Sequence, residues 1–267
     1  MISWEFITIY IALGSFVGIA AGMLGIGGGG ILVPSLTAIF LMQKIPQNEV
    51  VHLALGTAMA TIVITSFTNM ITHHKLGDVL WNIVKLMTPG ILLGAFLATF
   101  IVSHLSSLFL SVFFSIFMAY VALQMFLNKK PKPDRELLGA FWQLFSGFII
   151  GAVSAMVSIG GASLNVPYLI WQNTGIRKAI GTAAAIGFPL ALSATLGYLI
   201  NGWQHTNLHD LTFGYISLPA FIIISLFSSI MVPIGAKLSH KLPVGIIKKI
   251  FALLLISLSI KMLSMFL

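Results

Sequence analysis

The sequence predicts an all-α polytopic membrane protein: about ten membrane-embedded helical segments in two inverted repeats of five, with short broken helices at glycine-rich motifs. Three observations carry that prediction. Hydrophobic residues make up 58% of the chain and charged residues only 7%, against roughly 25% charged in an ordinary soluble domain. Ten apolar stretches are separated by short polar breaks, and most approach the roughly 20 residues that a helix needs to cross the hydrocarbon core. A set of glycines and prolines in the first half also recurs at one fixed offset in the second.

The stretches run at about 4–23, 28–42, 52–72, 79–102, 107–127, 138–157, 161–173, 179–201, 211–235 and 244–265. The first carries Glu5 and no basic segment ahead of its apolar run, which reads as a retained helix and not as a cleavable signal. The second and seventh are too short for a simple crossing. If all ten nevertheless cross, one side receives Lys75, Lys129, Lys130, Lys132, Arg135, Arg177, Lys178, Lys237 and Lys241, and the other only Lys44 and Lys261. The positive-inside rule then makes the first side cytoplasmic and puts both termini outside a plasma or inner membrane. Re-entrant short spans would split the basic residues almost evenly. Half-helices completed by buried non-helical backbone reconcile short length with charge bias.

The polar run Asn128–Glu136, with two prolines and six charged residues, marks a surface connection. It divides the chain into a first repeat (1–128), a basic cytoplasmic linker (129–136) and a second repeat (137–267). Gly14, Gly18, Ile26, Gly27, Gly28, Pro34 and Leu36 correspond to Gly147, Gly151, Ile159, Gly160, Gly161, Pro167 and Leu169; Gly56-Thr57 pairs with Gly181-Thr182, and Pro89 with Pro219. Five crossings per half is odd, so the halves are inverted. That architecture, with discontinuous helices, is a recurrent one among secondary transporters, whose substrate sites lie near the midplane.

The segment from Gly25 through Gly27, Gly28, Gly29 and Gly30 to Pro34 is the most informative in the chain. Each helix-interior glycine costs roughly 1 kcal/mol relative to alanine, so the helix is expected to open there. The helix that restarts offers backbone N–H groups and the positive end of its dipole. Its partner contributes Ser158, Gly160, Gly161, Ser163 and Asn165, which makes the second half the more polar. These hydroxyls and the amide either orient a substrate oxygen or bond between helices. Two such ends would hold an anion without burying a cation. Gly25, Gly27 and Gly30 formally match G-x-G-x-x-G, but the flanking segments are apolar spans and not the βαβ unit that dinucleotide binding needs. Gly14, Gly18, Gly147 and Gly151, at four-residue spacing, read as helix packing. Thr57 and Thr182, matched across the halves, are expected to line one cavity. Glu49 and His52 are candidates for carrying a coupling proton.

The absence of cysteine removes thiol chemistry, and no metal or cofactor motif is present. The net charge of +8 suits lipid or an anionic solute; basic residues scattered between apolar spans argue against nucleic acid. No catalytic set falls within the spans, which disfavours an enzyme. An anion channel is the principal rival to a carrier. The small-residue faces permit a homodimer.

The segments ending in Val33-Pro34 and Val166-Pro167, the glycines before them, and Gly56-Thr57 with Gly181-Thr182 resemble the TauE/SafE family of sulfite exporters across nearly the whole chain. The resemblance implies a permease for small sulfur-containing anions such as sulfite or organosulfonates. Its motif falls on Gly25, Gly27, Gly28 and Pro34, and on Gly160, Gly161 and Pro167, with a departure at Ala162 and Ser163.

Overall fold

The computed structural model describes residues 4–24, 28–127, 139–207, 211–239 and 244–266. Among them are ten helices: α1 (Trp4–Leu24), α2 (Gly29–Met42), α3 (Val50–Lys75), α4 (Trp81–Ser103), α5 (Ser107–Leu127), α6 (Ala140–Met156), α7 (Ala162–Trp171), α8 (Ile176–Asn201), α9 (Leu218–Ser239) and α10 (Val244–Ser264). Six stretches, within α1, α3, α4, α5, α8 and α9, are long and apolar enough to cross a membrane. Their outward faces are apolar as well: Leu93, Ile116 and Ile222 are 58, 67 and 56% exposed, and Ile260 of α10 is 63% exposed. Such residues in contact with water would form a large aggregating patch, whereas lipid solvates them. Gly25, Gly27 and the linker 129–136 lie outside the described residues.

The helices follow the apolar stretches closely, with three corrections. α1–α2 and α6–α7 are not successive crossings: Gln43 at the end of α2 bonds Tyr10 in α1, and Gln143 in α6 bonds Gln172 at the end of α7. Each pair therefore folds back to the end it starts from, and the expected five crossings per half are not found. Residues 211–217 are not helical: β1 (Thr212–Phe213) pairs antiparallel with β2 (Ile216–Ser217), and α9 starts only at Leu218. Gly214, at φ 55°, makes the turn, so a small hairpin interrupts what hydropathy reads as one span. Pro89 and Pro219 are not structural equivalents. Pro89 sits inside α4, whereas Pro219 is in the first turn of α9, where a missing N–H is tolerated.

α3 and α8 pack against each other at the centre, and they are the most buried of the six long apolar helices. Small residues also bring their other neighbours close: Gly56 of α3 backs onto the Tyr215 carbonyl of the hairpin and Gly197 of α8 onto the Thr99 side chain of α4. Around them, α1 lies along α9 and α6 along α4. Gly14 and Gly18 face the backbone of Ile224 and Ser228, while Gly147 and Gly151 face Met87 and Ile91. Close backbone approach of this kind is what glycine stripes supply in membrane helices. α5 pairs with α10.

Hydrogen bonds define two ends of the bundle. At the near end, Gln47 Nε2 donates to Met265 O (3.1 Å), Ser107 Oγ to Asn48 O (2.7 Å), and His52 Nε2 lies 3.1 Å from Val102 O. At the far end, Leu80 N donates to Thr182 Oγ1 (3.0 Å). Lys44 is exposed at the near end, while Lys75, Arg177 and Lys178 are exposed at the far end.

Candidate functional site

Both short helices begin at a glycine in the left-handed region. Gly28 (φ 76°, ψ −9°) precedes α2, and Gly161 (φ 76°, ψ −19°) precedes α7. This conformation costs an L-residue about 1–2 kcal/mol. Gly28 O accepts from Ile31 N and Leu32 N, both at 3.0 Å; Gly161 O accepts from Leu164 N at 3.2 Å and Asn165 N at 2.8 Å. The N–H groups of Gly29, Gly30, Ala162 and Ser163 lie ahead of these bonds, at the positive helix ends. Pro34 and Pro167 then occupy the same place within the two helices.

The two breaks meet inside the protein. A Cβ on Gly29 would overlap the Ser158 carbonyl oxygen and fall 3.2 Å from Ile159 Cα. On the other side of the junction, a Cβ on Gly187 of α8 would fall 2.7 Å from Gly160 O. The Ser158 hydroxyl donates to Leu55 O of α3 at 2.9 Å. Gly28, Gly30, Ile159 and Ser163 line a small cavity of about 20 Å³, together with Met118 of α5 and Phe251 and Leu255 of α10. That volume accommodates about one water-sized group.

Asn165 is the residue that secondary structure leaves unexplained. It is 0% exposed, and among the described residues neither Nδ2 nor Oδ1 has a hydrogen-bond partner; the Ser163 hydroxyl is likewise unpartnered. An unsatisfied buried polar group costs about 1–3 kcal/mol, and one in the first turn of a helix after a break points to an exchangeable partner.

The matched threonines do something other than line that cavity. Thr57 Oγ1 accepts from Ser217 N at 2.9 Å, and Thr182 Oγ1 accepts from Leu80 N at 3.0 Å. Each hydroxyl thus satisfies the backbone where a helix of the other half begins, α9 or α4. The shared position is matched by a shared contact, a hydroxyl that holds the start of a helix from the other half.

A cavity of about 580 Å³ opens at the near end, bordered by Tyr10, Gln43, Lys44, Glu49, His205 and Tyr215. Glu49 Oε1 lies 3.4 Å from His205 Nδ1. The Tyr215 ring is held between His205 and His52, with both centroid separations 5.2 Å. Burial pushes the Tyr215 phenol above its usual range and the Glu49 charge adds to this, so it stays protonated. His52 is buried rather than solvated and does not pair with Glu49. The histidines at the far end form local contacts: His73 lies 3.7 Å from Asp78, and His74 Nδ1 accepts from Trp81 Nε1 at 3.2 Å.

Sequence reasoning missed His205 and Tyr215 as partners of Glu49 and His52, because long-range ring stacking leaves no local pattern. It also missed two polar clasps. Gln43 Nε2 donates to Tyr10 Oη at 3.0 Å, and Gln143 Nε2 donates to Gln172 Oε1 at 2.6 Å. One signal was available: Tyr10 and Gln143 stand at the same offset as Gly14 and Gly147.

A sequence profile of the family described as sulfite exporter TauE/SafE matches residues 10–262. The chain is 34% identical over 260 residues to a probable membrane transporter protein of Haemophilus influenzae, covering 97% of this chain and 98% of that one. It is 24% identical over 238 residues to a probable membrane transporter protein of Methanocaldococcus jannaschii, covering 87% and 86% of the two chains. A probable membrane transporter protein of Bacillus subtilis is 25% identical over 193 residues, covering 70% and 76%. No solved structure matches the chain. With its apolar helix bundle and a profile match over nearly its whole length, this chain is a membrane protein that belongs to the sulfite exporter TauE/SafE family.

Proposed function

We propose that the protein is a secondary transporter, exporting small sulfur-containing anions such as sulfite or an organosulfonate by alternating access. On this reading the chain is an inverted pair of five-helix repeats in the plasma or inner membrane, with both termini outside. The carrying observation is the pair of left-handed glycine caps, Gly28 and Gly161, which start two short helices at one buried junction beside an unpartnered Asn165. The N–H groups of Gly29, Gly30, Ala162 and Ser163 supply positive potential, Asn165 Nδ2 and Ser163 Oγ supply donors, and no cation has to be buried.

An anion larger than water does not fit the present cavity of about 20 Å³. Loading therefore requires Met118, Phe251 and Leu255 to move aside, as a carrier does and a permanently open pore does not. Glu49 and His52 face or flank the near-end vestibule, and we assign proton coupling to this group.

Uptake of radiolabelled sulfite and of a small organosulfonate into proteoliposomes tests the reading. Loss of a hydrogen bond to a charged partner costs about 1.5–3 kcal/mol, so Asn165→Leu should weaken half-saturation about 10- to 100-fold. Unchanged saturable uptake by folded Asn165→Leu removes the assignment of the site, and no uptake of either solute by the native protein removes the substrate class.

A further inference from the structure

We propose that the two polar clasps are the gate tips of the transport path, and that the protein is open at the near end and sealed at the far end. The inference rests on the alternating-access reading above, but it concerns residues that the anion site does not use.

The two clasps are built alike. At the end of α2, Gln43 N donates to Ile39 O, Lys44 N to Leu41 O and Ile45 N to Phe40 O, each at 3.0 Å. At the end of α7, Gln172 N donates to Tyr168 O, Asn173 N to Ile170 O and Thr174 N to Leu169 O, at 3.3, 3.0 and 3.1 Å. Lys44 and Asn173 both take left-handed conformations, with φ 62° and 59°. These are the same helix ending, made without glycine. In each, the glutamine that ends the short helix is tied to the first helix of its half, Tyr10 of α1 or Gln143 of α6. Each pair of helices is thus an antiparallel hairpin with the glycine break at its turn and the clasp at its open tip.

The surroundings of the two clasps differ. Tyr10, itself 1% exposed, and the half-buried Gln43 line the cavity of about 580 Å³ together with His205 and residues of the β1–β2 hairpin. Gln143 and Gln172 are 1% and 2% exposed, and Gln143 Oε1 accepts a further bond from Tyr168 Oη at 3.1 Å. Two buried glutamines and a half-buried tyrosine joined in this way make a seal that is stable when complete and costly when a buried member is removed. Equivalent elements in open and closed settings at opposite ends are what an inverted-repeat carrier shows when stopped in one state. The opposite state follows by exchange: the α1–α2 tip closes over its vestibule, and the α6–α7 tip leaves α8.

The chain has no cysteine, so single reporters need no prior engineering. Leu53→Cys reports on the near-end vestibule, which Leu53 lines. Ser154→Cys, at a buried unpartnered hydroxyl on α6, reports from behind the far-end clasp. A membrane-impermeant thiol reagent is applied to either face of oriented vesicles. Leu53→Cys should react from the near face at least about tenfold faster than Ser154→Cys reacts from the far face. Adding Gln143→Ala should speed Ser154→Cys labelling at least about tenfold. Tyr168→Phe, which keeps the packing and removes one bond, should give a smaller increase if Gln143→Ala fails to fold. Far-face labelling of Ser154→Cys as fast as the near-face reaction, or unchanged by either substitution, overturns the gates. Labelling needs no substrate, so the expected pattern without anion uptake would refute the anion reading alone, and uptake without the pattern would refute the gates alone.

Discussion

Replacing Thr57 and Thr182 by valine separates a positioning role from a substrate role at the two matched threonines. Both are 0% exposed, and each hydroxyl accepts one backbone N–H from the start of a helix in the other half. Valine keeps the shape and removes the acceptor, leaving Ser217 N–H or Leu80 N–H without that bond. Each loss should cost about 1–3 kcal/mol, the penalty for an unsatisfied buried donor. The two bonds share no partner, so the double variant should lose about 2–6 kcal/mol by addition. Serine at either position retains the acceptor and loses one methyl, about 1 kcal/mol. Chemical denaturation in detergent, followed by tryptophan fluorescence, gives the stabilities; sulfite half-saturation in proteoliposomes gives the binding. The expected outcome is lower stability with half-saturation changed less than about threefold in whatever folds. Native stability combined with a tenfold weaker half-saturation would refute the argument, because the hydroxyl would then be a ligand and the backbone bond incidental.

The glycine caps allow a subtraction. Gly77 has φ 73° with open space where a methyl would be added, so Gly77→Ala measures backbone strain alone, about 1–2 kcal/mol; Gly28→Ala adds a clash with Val17 Cγ1 at 2.5 Å and should cost about 1–3 kcal/mol more. Equal losses in thermal unfolding would mean that the break is not packed as described. Gly151→Val drives a side chain into the Ile91 backbone and should lower the melting temperature by several degrees, whereas Gly139→Val, with open space around it, should not. Glu49→Gln should change stability by less than about 1 kcal/mol, since the pair with His205 is half-exposed. It should nevertheless abolish the response of anion flux to an imposed pH gradient; an intact response removes Glu49 from coupling.

The sequence was most legible where composition and spacing act locally. Apolar length located the helices because lipid requires every backbone bond to be made within the segment. Four consecutive glycines announced the break, and the fixed offset from Gly28 to Gly161 falls on two left-handed glycines of nearly the same conformation. Hydropathy failed at 211–217 because Phe213, Tyr215 and Ile216 are as apolar in a buried hairpin as in a helix, and only Gly214 marks the turn. Repeat matching failed for Pro89 and Pro219 because identity of a residue is weaker than identity of its place in a helix. Thr57 and Thr182 show a subtler limit: duplication revealed that they share a task, but the donors that define it are 160 and 102 residues away. His52 is similar, since its burial depends on Val102 and Tyr215, which no local pattern connects to it.

The vestibule and the buried junction are joined by one face of α3. His52 packs on Tyr215, and Gly56, one turn on, backs onto the Tyr215 carbonyl. Between them Leu55 O accepts the Ser158 hydroxyl from the break before α7, and Thr57, just after Gly56, holds Ser217 at the start of α9. A change of charge at Glu49 and His205 bears on Tyr215, and therefore on a helix that fixes both the hairpin and the break. Contact alone does not establish energetic coupling, which needs an element with two discrete arrangements. The clasped hairpins supply that element here. If the α1–α2 tip closes toward His205 while the α6–α7 tip releases at the far end, α3 is the common wall against which both move. Its alanines, glycine and threonines then have a dynamic reading beside the packing one. Small residues present a smooth face to moving neighbours, whereas interdigitated leucines would lock them.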